Sequence, residues 1–323
     1  MSGSTANVLP RTLIFALAFC VLALSWLATC GMWHYQRYAA AVAPPEVRRF
    51  EKLTVVTLGT GTAYPNPRRR GPALAVGFET DVVLVNAGRG IAEALRAARV
   101  PATQPAALLL TNLLPENTQG VDDLWLTDPA EERKTPLQLY GPAGTRSFAR
   151  GLNATYSEGL RSERGASVNP ALPVEEIAAA WSAQVGTLRV SAIPFEAAPF
   201  PSLAYRFEAG EHAVVVADVG FAPETLIELA KGADLLVHTA IHGETFERAA
   251  AEGAANNASL EREAARYTDA DSVSQWAHRA GVAHLVLVGL RPPPLLDFQY
   301  TRSAKHHFDG EISLADDGDE FTP

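Results

Sequence analysis

Leu108-Leu109-Leu110-Thr111-Asn112-Leu113-Leu114-Pro115-Glu116-Asn117-Thr118-Gln119-Gly120 is the stretch whose reading decides the fold. An apolar run stops abruptly in a polar turn, the pattern of a buried strand delivering a loop to the end of a sheet. Loops at such ends are where mixed α/β enzymes place their chemistry.

Working outward, Leu53–Leu58 reads as a strand that runs into Gly59-Thr60-Gly61-Thr62 and a Pro- and Arg-rich loop. Residues 73–78 and 82–85 read as a hairpin, and Ile91, Ala94, Leu95 and Ala98 fall at helical spacing. After the central stretch, Pro136–Tyr140 is a strand leading into a helix past Gly141-Pro142. Ser157–Ser182 is polar and weakly patterned, with Pro170 and Pro173, and reads as an insertion over one face.

The second half repeats the logic. Residues 188–195, 203–207, 213–217, 235–237 and 285–288 read as strands. Helices follow at 223–231, where Pro opens and Gly232 closes, and at Thr268–Gly281, where Thr268 and Asp271 look like a capping box. Two strand-rich halves, each trailed by helices, imply sheets packed face to face with helices outside.

A chain of 323 residues can bury a sizeable core. A formal net charge of -9 opposes a nucleic-acid partner bound through phosphate contacts, so none is expected. Cys20 and Cys30 both lie near the N-terminus, which leaves the rest of the chain without a thiolate for a disulfide or a zinc site. No nucleophile elbow, Walker loop or dinucleotide glycine fingerprint is convincingly placed.

Leu13–Trp33 carries no charge and is long enough to cross a hydrocarbon core of about 30 Å. No face of it is polar, which opposes a buried helix, and Ala41-Val42-Ala43 before Pro44 makes a poor cleavage site. The expected organisation is a membrane anchor over 1–36, a tether over 37–52 and one folded domain over 53–323. Membrane attachment through the N-terminal helix is expected, with the domain outside the cytoplasm because long domains are translocated largely regardless of charge.

Several segments in order are similar to a known pattern. Thr57-Leu58-Gly59-Thr60-Gly61-Thr62, Val85-Asn86-Ala87-Gly88-Arg89-Gly90, the 108–120 turn, Val214–Gly220, Ala233–Ala240 and Arg279–Leu290 resemble the metallo-β-lactamase superfamily, in the branch with ribonuclease Z and arylsulfatase-like hydrolases. The resemblance covers Leu53 to the C-terminus. It implies an α/β fold, an αββα four-layer sandwich, here preceded by one transmembrane helix. It also implies two zinc ions that activate a hydroxide for phosphoester or ester hydrolysis.

Carried over position by position, the resemblance puts Asn112, Leu114, Glu116 and Asn117 where the turn has His, His, Asp and His. Glu196 and Gly289 fall where two further His are expected, Asn86 where Asp is expected, and Tyr267 where a further catalytic His is expected. Asp218 keeps the bridging carboxylate. It is the only retained ligand type, and as a lone carboxylate it is expected to bond loop backbone. His238 matches its motif and reads as a structural His, followed by Thr239 in place of Glu. Leu and Gly offer no side-chain ligand, and an amide is a poor zinc ligand beside imidazole.

The expectation is therefore a site without catalytic residues or a zinc cofactor: a pseudoenzyme acting by binding. The alternatives are a phosphoester hydrolase with a degenerate or non-zinc site, and a structural subunit that forms a homo- or hetero-oligomer with an active relative. A further option is a hard cation, which takes about 6–8 oxygens, held by the oxygen-rich cluster of Asn86, Asn112, Glu116, Asn117, Glu196 and Asp218; the plainer reading is small polar residues filling a solvent-facing hollow.

Overall fold

The computed structural model describes residues 11–43, 45–127, 136–164, 172–195, 200–219, 223–251, 261, 263–294 and 298–323. The chain divides into two compact units, Met1–Pro44 and Pro45–Pro323.

The first unit contains one helix, α1 (Arg11–Val42). Its Leu13–Ala39 stretch has a mean hydropathy of 2.4 and none of it is buried, so it is long and apolar enough to cross a membrane. The helix runs past Trp33 through residues 37–42, part of the segment read as tether.

In the second unit, β1 (Phe50–Gly59), β2 (Ala73–Glu79) and β3 (Asp81–Val85) form an antiparallel meander. β4 (Ala107–Leu109), β5 (Gln138–Gly141) and β6 (Val174–Glu176) then add in parallel. The second sheet repeats this plan. β7 (Trp181–Val185), β8 (Leu188–Phe195), β9 (Ser202–Ala209) and β10 (His212–Ala217) are antiparallel, whereas β11 (Leu235–Ile241), β12 (His284–Arg291) and β13 (Glu311–Leu314) follow in parallel. A short β14 (Glu320–Phe321) returns to pair with β1, which gives each sheet 7 strands.

Alternation along the strands builds the layers. In β1, Val55 joins a core between the sheets while Val56 and Leu58 face the other way. In β10, Val214 and Val216 enter that same core, and Val215 and Ala217 face outward. The outer face of the first sheet is covered by α2 (Ile91–Ala97), α4 (Val121–Leu126) and α5 (Thr145–Arg164) through Ile91, Leu95, Leu124 and Ala149. α6 (Pro223–Ala230), α8 (Ala270–Ala280) and α9 (Phe298–Ala304) cover the second sheet through Leu226, Val273, Ala277 and Tyr300. The result is a mixed-sheet α/β domain with helices on both outer faces.

Two local readings are corrected. Residues 157–164, read as the start of an insertion, are the last turns of α5, whose apolar face packs on the first sheet. The cap of α8 is Asp269, whose side chain accepts from Ser272 N at 3.0 Å, so the Thr268–Asp271 box does not form.

The glycines of the early motifs serve close backbone packing. A Cβ on Gly71 would lie 2.3 Å from Arg89 N, one on Gly88 2.3 Å from Gly71 C, and one on Gly120 2.2 Å from Gly88 O. Reciprocal bonds, Gly71 N to Arg89 O at 3.1 Å and Gly88 N to Pro72 O at 3.0 Å, hold these loops together. Gly120 N donates to Ala87 O at 2.8 Å and so pins the end of the 108–120 turn against the same point.

Candidate functional site

The carboxyl ends of parallel strands β4, β10, β11 and β12 meet at one edge of the domain, where open α/β sheets place ligands. Two cross-sheet bonds fix the geometry. Tyr205 Oη donates to Leu110 O at 2.7 Å, and Leu203 N donates to Thr111 O at 2.7 Å. The turn beyond β4 is thereby tied to β9, and α3 (Pro115–Thr118) begins with Pro after extended Leu114.

At this edge Asp218 is met by side-chain amides. Its Oδ2 accepts from Asn117 Nδ2 at 2.6 Å, Asn112 Nδ2 at 2.8 Å and Thr111 Oγ1 at 3.3 Å. Asn112 Oδ1 accepts from Asn117 Nδ2 at 2.9 Å and from Leu114 N at 3.0 Å. Asn86, in the left-handed region at φ 61, accepts from Thr111 N at 2.9 Å and Thr111 Oγ1 at 3.0 Å through Oδ1. Asn tolerates that conformation well. Among the described residues the side-chain carboxylate of Asp218 bonds side chains, where loop backbone was expected; its main-chain carbonyl accepts the Thr239 hydroxyl.

The second half of the edge is an ion-pair cluster that the sequence reading missed. Arg291, 3% exposed, ends β12 and places Nη2 at 2.7 and 2.8 Å from the two carboxylate oxygens of Glu116. Its Nε lies 3.2 Å from Glu263 Oε1, and its Nη1 donates to Gly289 O at 2.6 Å. The guanidinium carbon stacks 3.7 Å from the Tyr267 ring centroid, and the Tyr267 hydroxyl donates to Glu116. Burial pulls the guanidinium pKa down, but Glu116, Tyr267, Asp218 and Glu263 outweigh it and the net shift is upward. Burial likewise drives the Tyr267 hydroxyl far above the ordinary phenol range, with Arg291 opposing and Asp218 and Glu116 adding to the rise. One signal for Arg291 was available: a charged residue at the end of the otherwise apolar stretch Leu285–Leu290.

Of the positions read from sequence, Asn86, Asn112, Asn117 and Asp218 form one network, and Glu116 and Tyr267 meet at Arg291. Leu114 packs against the apolar cluster of the second sheet. Gly289 makes the bend before Arg291 at φ 55. Glu196 lies outside the described residues. His238 sits apart from the network, fully buried, with Nδ1 2.6 Å from Thr239 O and its ring edge-on to Trp276. Burial pushes its pKa down to about 4, against the hydrogen bond to Thr239.

No family model matches the chain. A ribonuclease Z from Mycobacterium sp. (strain KMS) is 32% identical over 279 residues, which span 82% of this chain and 94% of that protein. This chain belongs to the ribonuclease Z family. The metallo-β-lactamase fold protein YhfI from Bacillus subtilis superposes with a TM-score of 0.64 at 17% identity, covering 83% of this chain and 99% of YhfI. Zn²⁺-bound PqqB from Methylobacterium extorquens gives a TM-score of 0.58 at 16% identity over 84% of this chain and all 100% of PqqB. The expected metallo-β-lactamase fold is therefore confirmed.

The expectation that no cofactor is involved is corrected by these relatives. A ribonuclease Z and a zinc-bound neighbour on the same fold point to zinc use in the group to which this chain belongs. The residues described at this edge do not themselves fit a zinc pair. Among the described residues no group of three or more His, Cys, Asp and Glu side chains is placed to hold a metal ion. Asp218 Oδ2 faces amide N–H donors and both oxygens of Glu116 face a guanidinium. Those donor hydrogens stand where a cation would have to approach the carboxylates.

Proposed function

We propose that this chain is a ribonuclease Z-like hydrolase of phosphoesters or related esters, working at an altered site and held at a membrane by its N-terminal helix. The observation that carries this reading is the 32% identity sustained across 94% of a ribonuclease Z. An alignment of that extent spans the strands and turns that build this edge as well as the core. On this reading zinc use comes with the relatives, and the residues described here supply the other elements of ester chemistry. Asp218 and Glu116 are buried carboxylates at this edge, and Arg291 and Tyr267 are buried donors beside them. A cavity of about 190 Å³ opens against Arg291 between Tyr64, Phe246, Pro292 and Pro293. It is below the roughly 300–1,000 Å³ of usual ligand pockets, so it admits one group of an ester and not a whole nucleotide.

The test is turnover of bis(p-nitrophenyl) phosphate by the full chain in detergent micelles, with and without added Zn²⁺. Hydrolysis above the blank that falls at least about tenfold in Asp218→Asn is the expected result. Turnover unchanged in Asp218→Asn contradicts the reading.

A second reading, a binding protein without turnover, is favoured by one specific observation. Asn112 and Asn117 occupy Asp218 Oδ2, and Arg291 occupies both oxygens of Glu116, from within the protein. No hydrolysis of the same substrate under either condition selects it.

The anchor has its own test. With Leu13–Ala39 spanning a bilayer, the chain stays in the membrane pellet after alkaline carbonate extraction. Release into the supernatant contradicts it.

A further inference from the structure

The residues that look like separate losses in the sequence converge on one side chain. Glu116, Tyr267 and Gly289 each touch Arg291: as bidentate carboxylate, as stacked ring and as accepting carbonyl. Gly289 also makes room for it. A Cβ there would come within 3.3 Å of Arg291 Nη1 and 3.1 Å of Thr239 Cγ2, on a backbone at φ 55 that disfavours side chains. A side chain at 289 would press on both neighbours by a few tenths of an ångström and would strain the backbone, so glycine there favours the guanidinium folded back over Tyr267.

Electrostatics gives that arrangement its purpose. Glu116 and Glu263 are only 4% and 14% exposed, and Asp218 lies close enough to act on Arg291. Carboxylates so buried need a cation or must take up protons. We propose that Arg291 is a built-in cation of this edge, supplying to Glu116 and Glu263 the positive charge that a bound ion would otherwise have to bring. Glu116, Tyr267 and Gly289 form its cradle. Nη2 reaches Glu116, Nε reaches Glu263 and Nη1 reaches the Gly289 carbonyl while the plane stacks on Tyr267, a spread of donors in one rigid plane that a single ammonium nitrogen cannot reproduce.

The experiment follows thermal unfolding of the full chain in detergent for wild type, Arg291→Ala, Arg291→Ala/Glu116→Gln and Arg291→Lys. Each is measured alone, with millimolar MgCl2 and with millimolar methylguanidinium. Arg291→Ala leaves two carboxylates beside a guanidinium-sized gap, so an added cation is expected to raise its melting temperature by about 5 °C. That gain should vanish in Arg291→Ala/Glu116→Gln. Arg291→Lys keeps the charge and loses the fork and stack, and should melt between wild type and Arg291→Ala. If Arg291→Ala folds only when a cation is present, the inference stands. Three results overturn it: no response of Arg291→Ala to either cation, a response that survives Glu116→Gln, or Arg291→Lys as stable as wild type.

Discussion

Arg291→Ala is expected to lower the stability of the folded domain by about 3–5 kcal/mol, the largest effect of any single substitution at this edge. The magnitude follows from what is left behind. With the guanidinium gone, Glu116, only 4% exposed, keeps the Tyr267 hydroxyl as its one side-chain partner among the described residues, and Glu263 loses its contact at 3.2 Å. A buried carboxylate without a counter-charge must ionise at a penalty or stay protonated at neutral pH. Glu116→Gln should cost less, because Arg291 retains Glu263 at 3.2 Å and the Gly289 carbonyl at 2.6 Å. Replacing the pair together, as in Arg291→Met/Glu116→Leu, removes both desolvation penalties and should recover much of the loss. Chemical denaturation of the series measures each of these values.

Acidification should remove about 3 kcal/mol through His238 alone. The imidazole is fully buried, and burial lowers its pKa from 6.5 to about 4. Its Nε2 has no hydrogen-bond partner among the described residues. Above pH 6.5 the group is neutral in both the folded and the unfolded chain and its contribution is complete. As pH falls from about 6.5 towards about 4, the unfolded chain takes up the proton first and stability drops by up to about 1.4 kcal/mol per pH unit. Below about 4 both states are charged and no further loss arises from this group. His238→Leu should flatten that window relative to wild type in a pH series of denaturation curves. Equal slopes in the two proteins would show that another group carries the acid sensitivity.

Much of this edge was legible before the structure. The apolar run Leu108–Leu110 ends in a turn as read, because Thr, Asn and Pro directly after it break the strand. Asn86, Asn112, Asn117 and Asp218 assemble as the order of motifs implied, since each lies at or just beyond the carboxyl end of a strand in one of two similar halves. Periodicity also gave the inter-sheet core, where Val214 and Val216 alternate with outward Val215.

The partner of Glu116 was not legible. Arg291 lies 175 residues away in sequence, and a single chain carries no record of such a pairing. Nor does the resemblance assign any role to the position two residues beyond Gly289, where Arg291 stands. The end of α5 was missed for a different reason. One face of that helix lies on the sheet through Ala149 and Leu152, and the rest is polar enough to resemble a loop.

Glu116 and Arg291 form the charged centre of the edge where the parallel strands of the two sheets end. The most direct measurement is their coupling energy, obtained from the unfolding free energies of wild type, Glu116→Gln, Arg291→Met and the double variant. The buried bidentate geometry predicts a coupling of about 2–3 kcal/mol, and a value below about 0.5 kcal/mol, typical of residues that do not interact, would contradict it.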